Sequence, residues 1–236
     1  MGLPNPADNA GLGSTTQGAV MSEAVHQSEQ LSMSQVTQET WHHVLELELE
    51  WPESQRASPE TLAKRFAKYP EGFLLAWYQQ TAAGLLTFVP VRYSPDDLSE
   101  FESWDQVTNY GDLHWPVENP NALYIISGLV RSGYHDKKIF EFGVSEVARL
   151  AKQSGYGYVL AGARIPGYRR FLEKNGPIAA HEYAAMEHRG RLRDPLLQMY
   201  RALDFNLPNA RHIKADYYPD ESSMDHGALV VRRVAA

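Results

Sequence analysis

The chain has 236 residues, of which 43% are hydrophobic, and this length allows one sizeable core or at most two small ones, so we predict a single domain. Its 29 acidic residues outnumber the 22 basic ones, for a formal net charge of -7, and the absence of a lysine- and arginine-rich block argues against nucleic acid as a partner. The sequence contains no cysteine, which excludes disulfides, thiolate metal sites and a cysteine nucleophile.

Residues 1–36 are rich in glycine, serine, glutamine and alanine. They carry few large apolar side chains to offset the entropy of ordering, so we predict a disordered tail. This segment lacks the charged-then-apolar pattern of a secretory signal, and no apolar run approaches the roughly 20 residues that cross a bilayer. The sequence therefore predicts a cytoplasmic protein without a membrane partner, folded over residues 37–236.

Two helices are predicted at the start of the folded part. Trp41, Val44 and Leu49 recur at helical spacing until Pro52 ends the run. Residues 58–69 begin with a serine followed by proline, the pattern of a hydroxyl cap before the first helical position.

A β-hairpin and a long loop follow. Residues 72–78 and 84–89 are apolar runs of strand length joined by a short polar turn. Residues 94–120 are acidic and rich in aromatic side chains. This stretch is either a functional loop or an extra strand pair under a lid.

Residues 122–130 form a nearly continuous apolar run, which is typical of a central strand buried on both faces. The spacing of residues 139–155 predicts a helix, and residues 158–161 read as the next strand. Strand, helix and strand in this order predict a parallel pair with a right-handed crossover. The remaining predicted elements are helices at 168–174 and 195–203 and strands at 212–218 and 228–233.

This order of elements resembles the GNAT fold of the Gcn5-related N-acetyltransferases, an α/β (α+β) fold whose mixed sheet splays at a parallel strand pair between flanking helices. Residues 70–73 (PEGF), 134–155 and 200–205 (YRALDF) are similar to the hairpin entry, the pyrophosphate loop with its helix, and the tyrosine signature of that superfamily. Four further motifs resemble one branch, the GNAT-like loading domains of polyketide synthases and the GNAT domains fused to carbon-nitrogen hydrolases: WDQVT at 104–108, GARIPGY at 162–168, RLRDP at 191–195 and YYPDES at 217–222.

The resemblance implies an N-acyltransferase that moves an acyl group from acetyl-CoA, another acyl-CoA or a carrier thioester to an amine, without a metal. Its partners would be a small-molecule amine or an acyl-carrier protein, and the resemblance also allows a homodimer. The alternative is a GNAT-like decarboxylase of a malonyl thioester, or a catalytically inactive module that binds thioesters.

The glycine-rich pyrophosphate loop of that superfamily falls on six residues, none of which is glycine: His135, Asp136, Lys137, Lys138, Ile139 and Phe140. In one interpretation, the histidine and the two lysines supply positive charge and a helix N-terminus still presents its N–H groups to the phosphates. In the other, Asp136 repels the anion and Phe140 fills its space.

Further candidates concern the thioester itself. Tyr200 matches the tyrosine that commonly protonates the departing thiolate, although it also fits the buried face of an amphipathic helix. By the same resemblance, the backbone of residues 127–130, which includes Gly128, Leu129 and Val130, polarises the thioester carbonyl. Gly128 could equally mark close backbone packing.

Thr108 and His114 fit the threonine and histidine that the loading branch is associated with for decarboxylation, against the alternative of an ordinary loop histidine. Arg164 and Tyr168 follow the second parallel strand, where the carboxyl ends of strands open a cleft. Arg164 would bind a substrate carboxylate there or form an internal salt bridge.

The last hairpin offers a cation site in one interpretation, or only an exposed acidic loop in the other, through Asp216, Asp220 and Glu221. His42 and His43 are adjacent on a helix, so we expect them to point in different directions and predict no metal site.

Overall fold

The computed structural model describes residues 30–234, which contain one large sheet and a small separate ladder of two strands. The strands of the large sheet are β1 (Leu31–Gln35), β2 (Phe73–Tyr78), β3 (Thr81–Val91), β4 (Ala122–Val130), β5 (Tyr158–Arg164), β8 (Ile213–Lys214) and β9 (Gly227–Arg233). Their order is β1-β2-β3-β4-β5-β9-β8, and β6 (Glu187–His188) pairs with β7 (Arg191–Leu192). All pairs are antiparallel except β4 with β5.

Seven α-helices flank the sheet in the described part: α1 (Trp41–Glu48), α2 (Pro59–Lys68), α3 (Trp104–Thr108), α4 (Ile139–Gln153), α5 (Tyr168–Asn175), α6 (Ala180–Ala185) and α7 (Pro195–Ala202). Ser58 caps α2, because its hydroxyl accepts the Thr61 N–H at 3.1 Å. Within residues 30–234, every helix is too short or too polar to span a lipid bilayer.

The sheet opens where β4 and β5 separate. Their parallel pairing runs from Ala122 opposite Tyr158 to Ile125 opposite Ala161, although both strands continue beyond this point. On the other edge of β4, Thr87 pairs with Ser127 and the next register pair skips Ile126, which is the mark of a β-bulge. The bulge and the separation therefore coincide.

The loop before β4 helps to hold this bulge. Trp104, the first residue of α3, donates its indole N–H to the carbonyl oxygen of Ile126 at 3.2 Å. Residues 94–120 thus form a loop that contains α3, which decides between the two alternatives for this stretch in favour of the loop.

The core lies on both faces of the sheet. Helix α4 packs on one face, where a methyl group added to Gly143 would lie 2.4 Å from Leu86. Helices α1 and α2 cover the opposite face, with Val44, Leu47 and Leu62 buried. The helices, the hairpin, the central strand and the parallel pair predicted from the sequence are confirmed.

Two predictions about the chain were wrong. Leu31–Gln35 lies in the segment predicted to be disordered, yet it pairs with β2 and buries Met33. The rest of that segment, residues 1–29, lies outside the described residues. The strand predicted at 212–218 is limited to β8, because the left-handed backbone of Asp216 (φ 50°) turns the chain away from the sheet.

Candidate functional site

The separation of β4 and β5 creates a cavity of about 290 Å³, which we call the splay cleft. Its lining includes Ser127, Gly128, His135, Phe140, Arg164 and Tyr200. The edge of β4 over Gly128–Val130 is paired with β3 on one side, and its other edge faces the cleft. The cleft therefore combines strand backbone, the loop before α4 and helix α7.

Phe140 forms part of the wall of the splay cleft. Its ring lies against Gly128, since a methyl group added to this glycine would lie 2.4 Å from Phe140 Cε2. The same ring contacts Tyr200 edge-on, with the centroids 5.9 Å apart. Phe140 thus takes up space in the cleft, as the second interpretation of the glycine-free loop requires, while a cavity remains beside it.

The start of α4 still offers unpaired backbone N–H groups. Lys138 is the N-cap residue of α4 and has a left-handed backbone (φ 56°). The Lys138 carbonyl oxygen accepts the first hydrogen bond of the helix, from the Phe142 N–H. The N–H groups of Ile139, Phe140 and Glu141 therefore have no helical acceptor, and they point toward the helix N-terminus.

The charges of this loop are largely engaged with each other. Lys137 pairs with Asp136 at 2.7 Å and lies 5.9 Å from the ring centroid of Tyr78. This pair lowers the pKa of Asp136 and raises that of Lys137. Asp136, Lys137 and Lys138 do not line the splay cleft, whereas His135 does.

Tyr200 lies on α7 with its ring buried and its phenol in the splay cleft. Burial raises the pKa of this phenol well above its usual value, with a smaller opposing effect from Arg164. The hydroxyl makes no hydrogen bond to another residue of the described chain. It is thus protonated at neutral pH and free to donate.

A second cavity, of about 370 Å³, lies on the opposite face of the sheet between the α1–α2 segment, the central strands and the loop before β9; we call it the α1–α2 cavity. The two cavities share five lining residues: Trp51, Ile126, Ser127, Gly162 and Arg164. They meet where β4 and β5 separate, so two ligands bound on opposite faces would approach each other at this point.

Three polar side-chain atoms of the α1–α2 cavity are buried without a hydrogen-bond partner among the described residues. They are Gln55 Oε1, Thr87 Oγ1 and Ser127 Oγ. Thr87 and Ser127 face each other across the β3–β4 register. Because buried polar groups in proteins are nearly always paired with protein, water or ligand, these three atoms mark a polar stretch of the cavity wall.

Glu48, at the end of α1, is a buried carboxylate of the same cavity. It is 7% exposed, and its Oε1 accepts the Ala57 N–H at 2.6 Å. Burial raises the pKa of this carboxyl, opposed by that hydrogen bond and by the charges of Arg65 and Arg56. Arg65 is itself buried and donates from Nε to the Gly111 carbonyl.

Arg164 lies at the junction of the two cavities. Its Nη1 is 3.5 Å from Asp220 Oδ1, and its side chain is 41% exposed. Burial alone would raise the pKa of Asp220, but hydrogen bonds from Ser223 and Ser222 outweigh burial and hold this pKa below its usual range. The internal salt bridge is present but long, and Arg164 lines both cavities.

Other predicted site residues lie elsewhere. Tyr168 donates its hydroxyl to the Ile178 carbonyl at 2.8 Å and lines neither cavity. Glu221 pairs with Arg169, and Asp216 is exposed; both also lie outside the two cavities.

Thr108 and His114 are not brought together at the splay cleft. The Thr108 hydroxyl donates to the Trp104 carbonyl at 2.7 Å and accepts the Gly111 N–H at 3.0 Å, so it is committed to the loop. His114 Nε2 lies 3.1 Å from the Gln106 carbonyl, in a different cavity beyond β3. This placement counts against a decarboxylation role for the pair.

The two adjacent histidines of α1 differ from expectation. The rings of His42 and His43 lie 3.9 Å apart, so the prediction that they point in different directions was wrong. Their nitrogens and a Glu46 oxygen lie within 4.8 Å of one another on an exposed helix face. Arg131 Nη2 already contacts this carboxylate at 3.3 Å.

Sequence reasoning missed Glu48, Gln55 and Thr87. Glu48 had a detectable signal, because it follows Val44 by four residues and so falls on the apolar face of a predicted helix, where a carboxylate is unusual. Thr87 and Gln55 had none, since one is a threonine in a strand and the other a glutamine in a loop.

Comparisons with known sequences give distant relatives, and no protein-family model matches. The chain is 27% identical over 186 residues to the uncharacterized N-acetyltransferase YkwB of Bacillus subtilis (strain 168), across 78% of this chain and 75% of that protein. It is 25% identical over 166 residues to the "probable hydrolase YhcX" of the same organism, across 70% of this chain. This second match spans 30% of the hydrolase, so the chain corresponds to less than a third of that relative.

Solved structures resemble the fold over most of its length. The loading GNATL domain of CurA from Lyngbya majuscula superposes with a TM-score of 0.70 at 19% identity, covering 86% of this chain and 98% of that one. The GphF GNAT-like decarboxylase, in complex with isobutyryl-CoA, gives a TM-score of 0.71 at 19% identity, covering 86% and 99%.

Proposed function

From the GNAT fold of this chain, we propose that it is an N-acyltransferase that moves an acyl group from acyl-CoA or a carrier-borne thioester to an amine. The observation that carries the proposal is the meeting of the splay cleft and the α1–α2 cavity at Ser127 and Arg164. A thioester in one cavity and an amine in the other would approach each other there, which is the geometry that direct transfer requires.

Donor binding is supported by the start of α4. Its free N–H groups and helix dipole favour an anion, and His135 adds a titratable group beside the cleft. The GphF decarboxylase of the same fold binds isobutyryl-CoA. Phe140 narrows the cleft, so we expect the acyl chain or its linker to pass along that ring, and the phosphates to lie outside it.

Transfer needs a polarised carbonyl and an acid. The free edge of β4 at Gly128–Val130 would donate a backbone N–H to the thioester oxygen as negative charge develops there. The amine nitrogen forms a bond to the carbonyl carbon, the carbon–sulfur bond breaks, and the Tyr200 phenol gives its proton to the departing thiolate. Another group must take the proton of the amine.

A second candidate is decarboxylation of a malonyl-type thioester, favoured by one observation. Arg164 faces the splay cleft, where it would bind the carboxylate of such a donor, and one structural neighbour is a GNAT-like decarboxylase. Thr108 and His114 lie outside the lining of the cleft, whereas Ser127 and Arg164 line it and would contact the malonyl group.

Titration calorimetry with acetyl-CoA and malonyl-CoA tests the proposal, with mass spectrometry to follow loss of the malonyl carboxylate. Binding of acetyl-CoA and release of CoA only when an amine is added would support transfer. Release of carbon dioxide from malonyl-CoA without an amine would move the assignment to the decarboxylase. Failure to bind either thioester would overturn CoA as donor. Arg170 is exposed and lies outside both cavities, so Arg170→Gln serves as the control for variants of the residues that line them.

A further inference from the structure

Resting on the proposed function, we infer that the acceptor amine also carries a carboxylate, as a free amino acid does, and that Arg164 and the unpaired polar atoms of the α1–α2 cavity bind this acceptor. The cavity of about 370 Å³ is large enough for a molecule of this size. It is also the side from which an amine reaches the junction with the splay cleft.

The unpaired atoms define what the ligand must offer. Gln55 Oε1, Thr87 Oγ1 and Ser127 Oγ are buried and lack partners in residues 30–234. A purely apolar ligand would leave them unsatisfied, at the cost of the desolvation of each atom. A ligand with hydrogen-bond donors and acceptors would pair with them, so the acceptor is polar near the β3–β4 register pair.

The charges favour an anionic group on that ligand. Arg56, Arg65 and Arg164 line the cavity against one buried carboxylate, Glu48. Arg56 and Arg65 donate to backbone carbonyls, whereas the polar partner of Arg164 within residues 30–234 is Asp220, at 3.5 Å. Arg164 is therefore the guanidinium free to form a two-pronged hydrogen bond with a ligand carboxylate.

The walls of the cavity are aromatic, which limits the rest of the ligand. Trp51, Trp104 and Tyr218 line it together with the exposed ring of Tyr110. Flat apolar walls of this kind pack against a small apolar or aromatic side chain. The combination of guanidinium, unpaired polar atoms and aromatic walls fits an amino acid better than a polyamine, whose positive charges the arginines would repel.

Glu48 supplies a base for the same acceptor. An amino acid enters as an ammonium, which must lose a proton before its nitrogen forms the amide bond. The raised pKa of the buried Glu48 carboxyl makes its anion a stronger proton acceptor than an exposed glutamate. The ammonium gives its first proton to Glu48, and the free nitrogen then bonds to the thioester carbon. As the carbon–sulfur bond breaks, Tyr200 gives its proton to the thiolate and the nitrogen of the intermediate gives up its second proton, which restores the phenol. The products are amide, free thiol and protonated Glu48, which releases its proton to solvent.

The experiment compares each of the twenty standard amino acids with its methyl ester as acceptor for acetyl-CoA, by CoA release and mass spectrometry of the product. The ester keeps the amine and removes the carboxylate charge, and its less basic amine is more often unprotonated at neutral pH. We expect at least one amino acid to be preferred over its ester by about tenfold or more in kcat/KM. Arg164→Gln should reduce the preference for the amino acid over its ester to about onefold, and Arg170→Gln, at an exposed arginine outside both cavities, should preserve it.

The outcomes separate this inference from the function on which it rests. If acetyl-CoA binds but only esters or amines without a carboxylate are acylated, the inference is overturned and the transferase stands. If amino acids react and Arg164→Gln leaves their preference intact, the assignment of Arg164 is overturned. If acetyl-CoA does not bind in the calorimeter, the proposed function with CoA as donor fails, and the inference fails with it.

Discussion

The Phe140 ring rests directly on the backbone of Gly128, so that a methyl group on this glycine would lie 2.4 Å from Phe140 Cε2. The two residues come from different elements, β4 and the first turn of α4, and both line the splay cleft. The contact therefore links the loop that lacks glycines to the strand that retains one.

Gly128→Ala should force the ring of Phe140 to move and should destabilise the protein by about 1 to 3 kcal/mol through overpacking. Phe140→Ala should widen the cleft. The double variant should be more stable than Gly128→Ala alone, because without the Phe140 ring the added methyl group no longer clashes. Urea unfolding of the wild type, the two single variants and the double variant measures this coupling. Strictly additive changes in unfolding free energy would show that the contact does not couple Gly128 to Phe140.

Tyr200→Phe should lower kcat for acyl transfer by about 10²- to 10⁴-fold, because it removes the proposed proton donor. The free energy of unfolding should change little, since the hydroxyl bonds to no other residue of the described chain. Thiol release in single-turnover experiments provides the measurement. An unchanged rate would leave Tyr200 as a wall residue alone, and Tyr69→Phe, at a buried tyrosine outside both cavities, is the control for loss of a buried tyrosine hydroxyl.

Glu48→Gln should abolish most amine acylation and leave the protein at least as stable as the wild type near pH 7. Between the usual carboxyl pKa and the raised pKa of folded Glu48, the folded state binds more protons than the unfolded state, so its stability falls as pH rises through this range. Glutamine removes that cost and keeps an acceptor for the Ala57 N–H. Exposed Glu53→Gln is the control, and a marked loss of stability in Glu48→Gln would contradict the expectation.

His212 should make the protein sensitive to acid. Its ring is buried between the Tyr93 hydroxyl at 3.1 Å and Asn209 Oδ1 at 3.1 Å, and burial, with Lys214 and Arg211 nearby, lowers its pKa from 6.5 to about 4. Because the unfolded state binds the proton first, stability is complete above pH 6.5 and is lost as pH falls toward 4, by up to about 3 kcal/mol.

Denaturant unfolding at closely spaced pH values checks this expectation. His212→Gln should flatten the slope of unfolding free energy against pH between 6.5 and 4, and exposed His188→Gln should not. Equal slopes in all three proteins would show that His212 is not the group responsible.

The sequence predicted most of the architecture because its signals were local. The serine cap and proline of α2 and the apolar run of β4 each follow from neighbouring residues. The predicted GNAT fold is confirmed by the solved structures that superpose on this chain. Strand β1 was missed since LSMSQ alternates small polar residues with few apolar ones, and its partner strand lies about forty residues away.

The site was harder to predict, because cavities depend on the register between distant strands. Arg164 was found because it follows the strand predicted at 158–161, and Tyr200 and Phe140 were found from the resemblance. Nothing local distinguishes Thr87 from other strand threonines. Its unpaired hydroxyl exists because β3 and β4 place it opposite Ser127, beside a bulge that no motif marks.

The bulge at Ile126 constrains the number of residues in β4. Successive strand residues normally face opposite sides, yet Ile126 and Ser127 both line the α1–α2 cavity, because the extra residue at 126 breaks the alternation. Deleting one residue here would rotate residues 127–130 to the other face, carrying the Ser127 hydroxyl out of the cavity and Gly128 away from Phe140. Homologous chains that share this chemistry should therefore vary freely in their loops while keeping the residue count of this one strand constant.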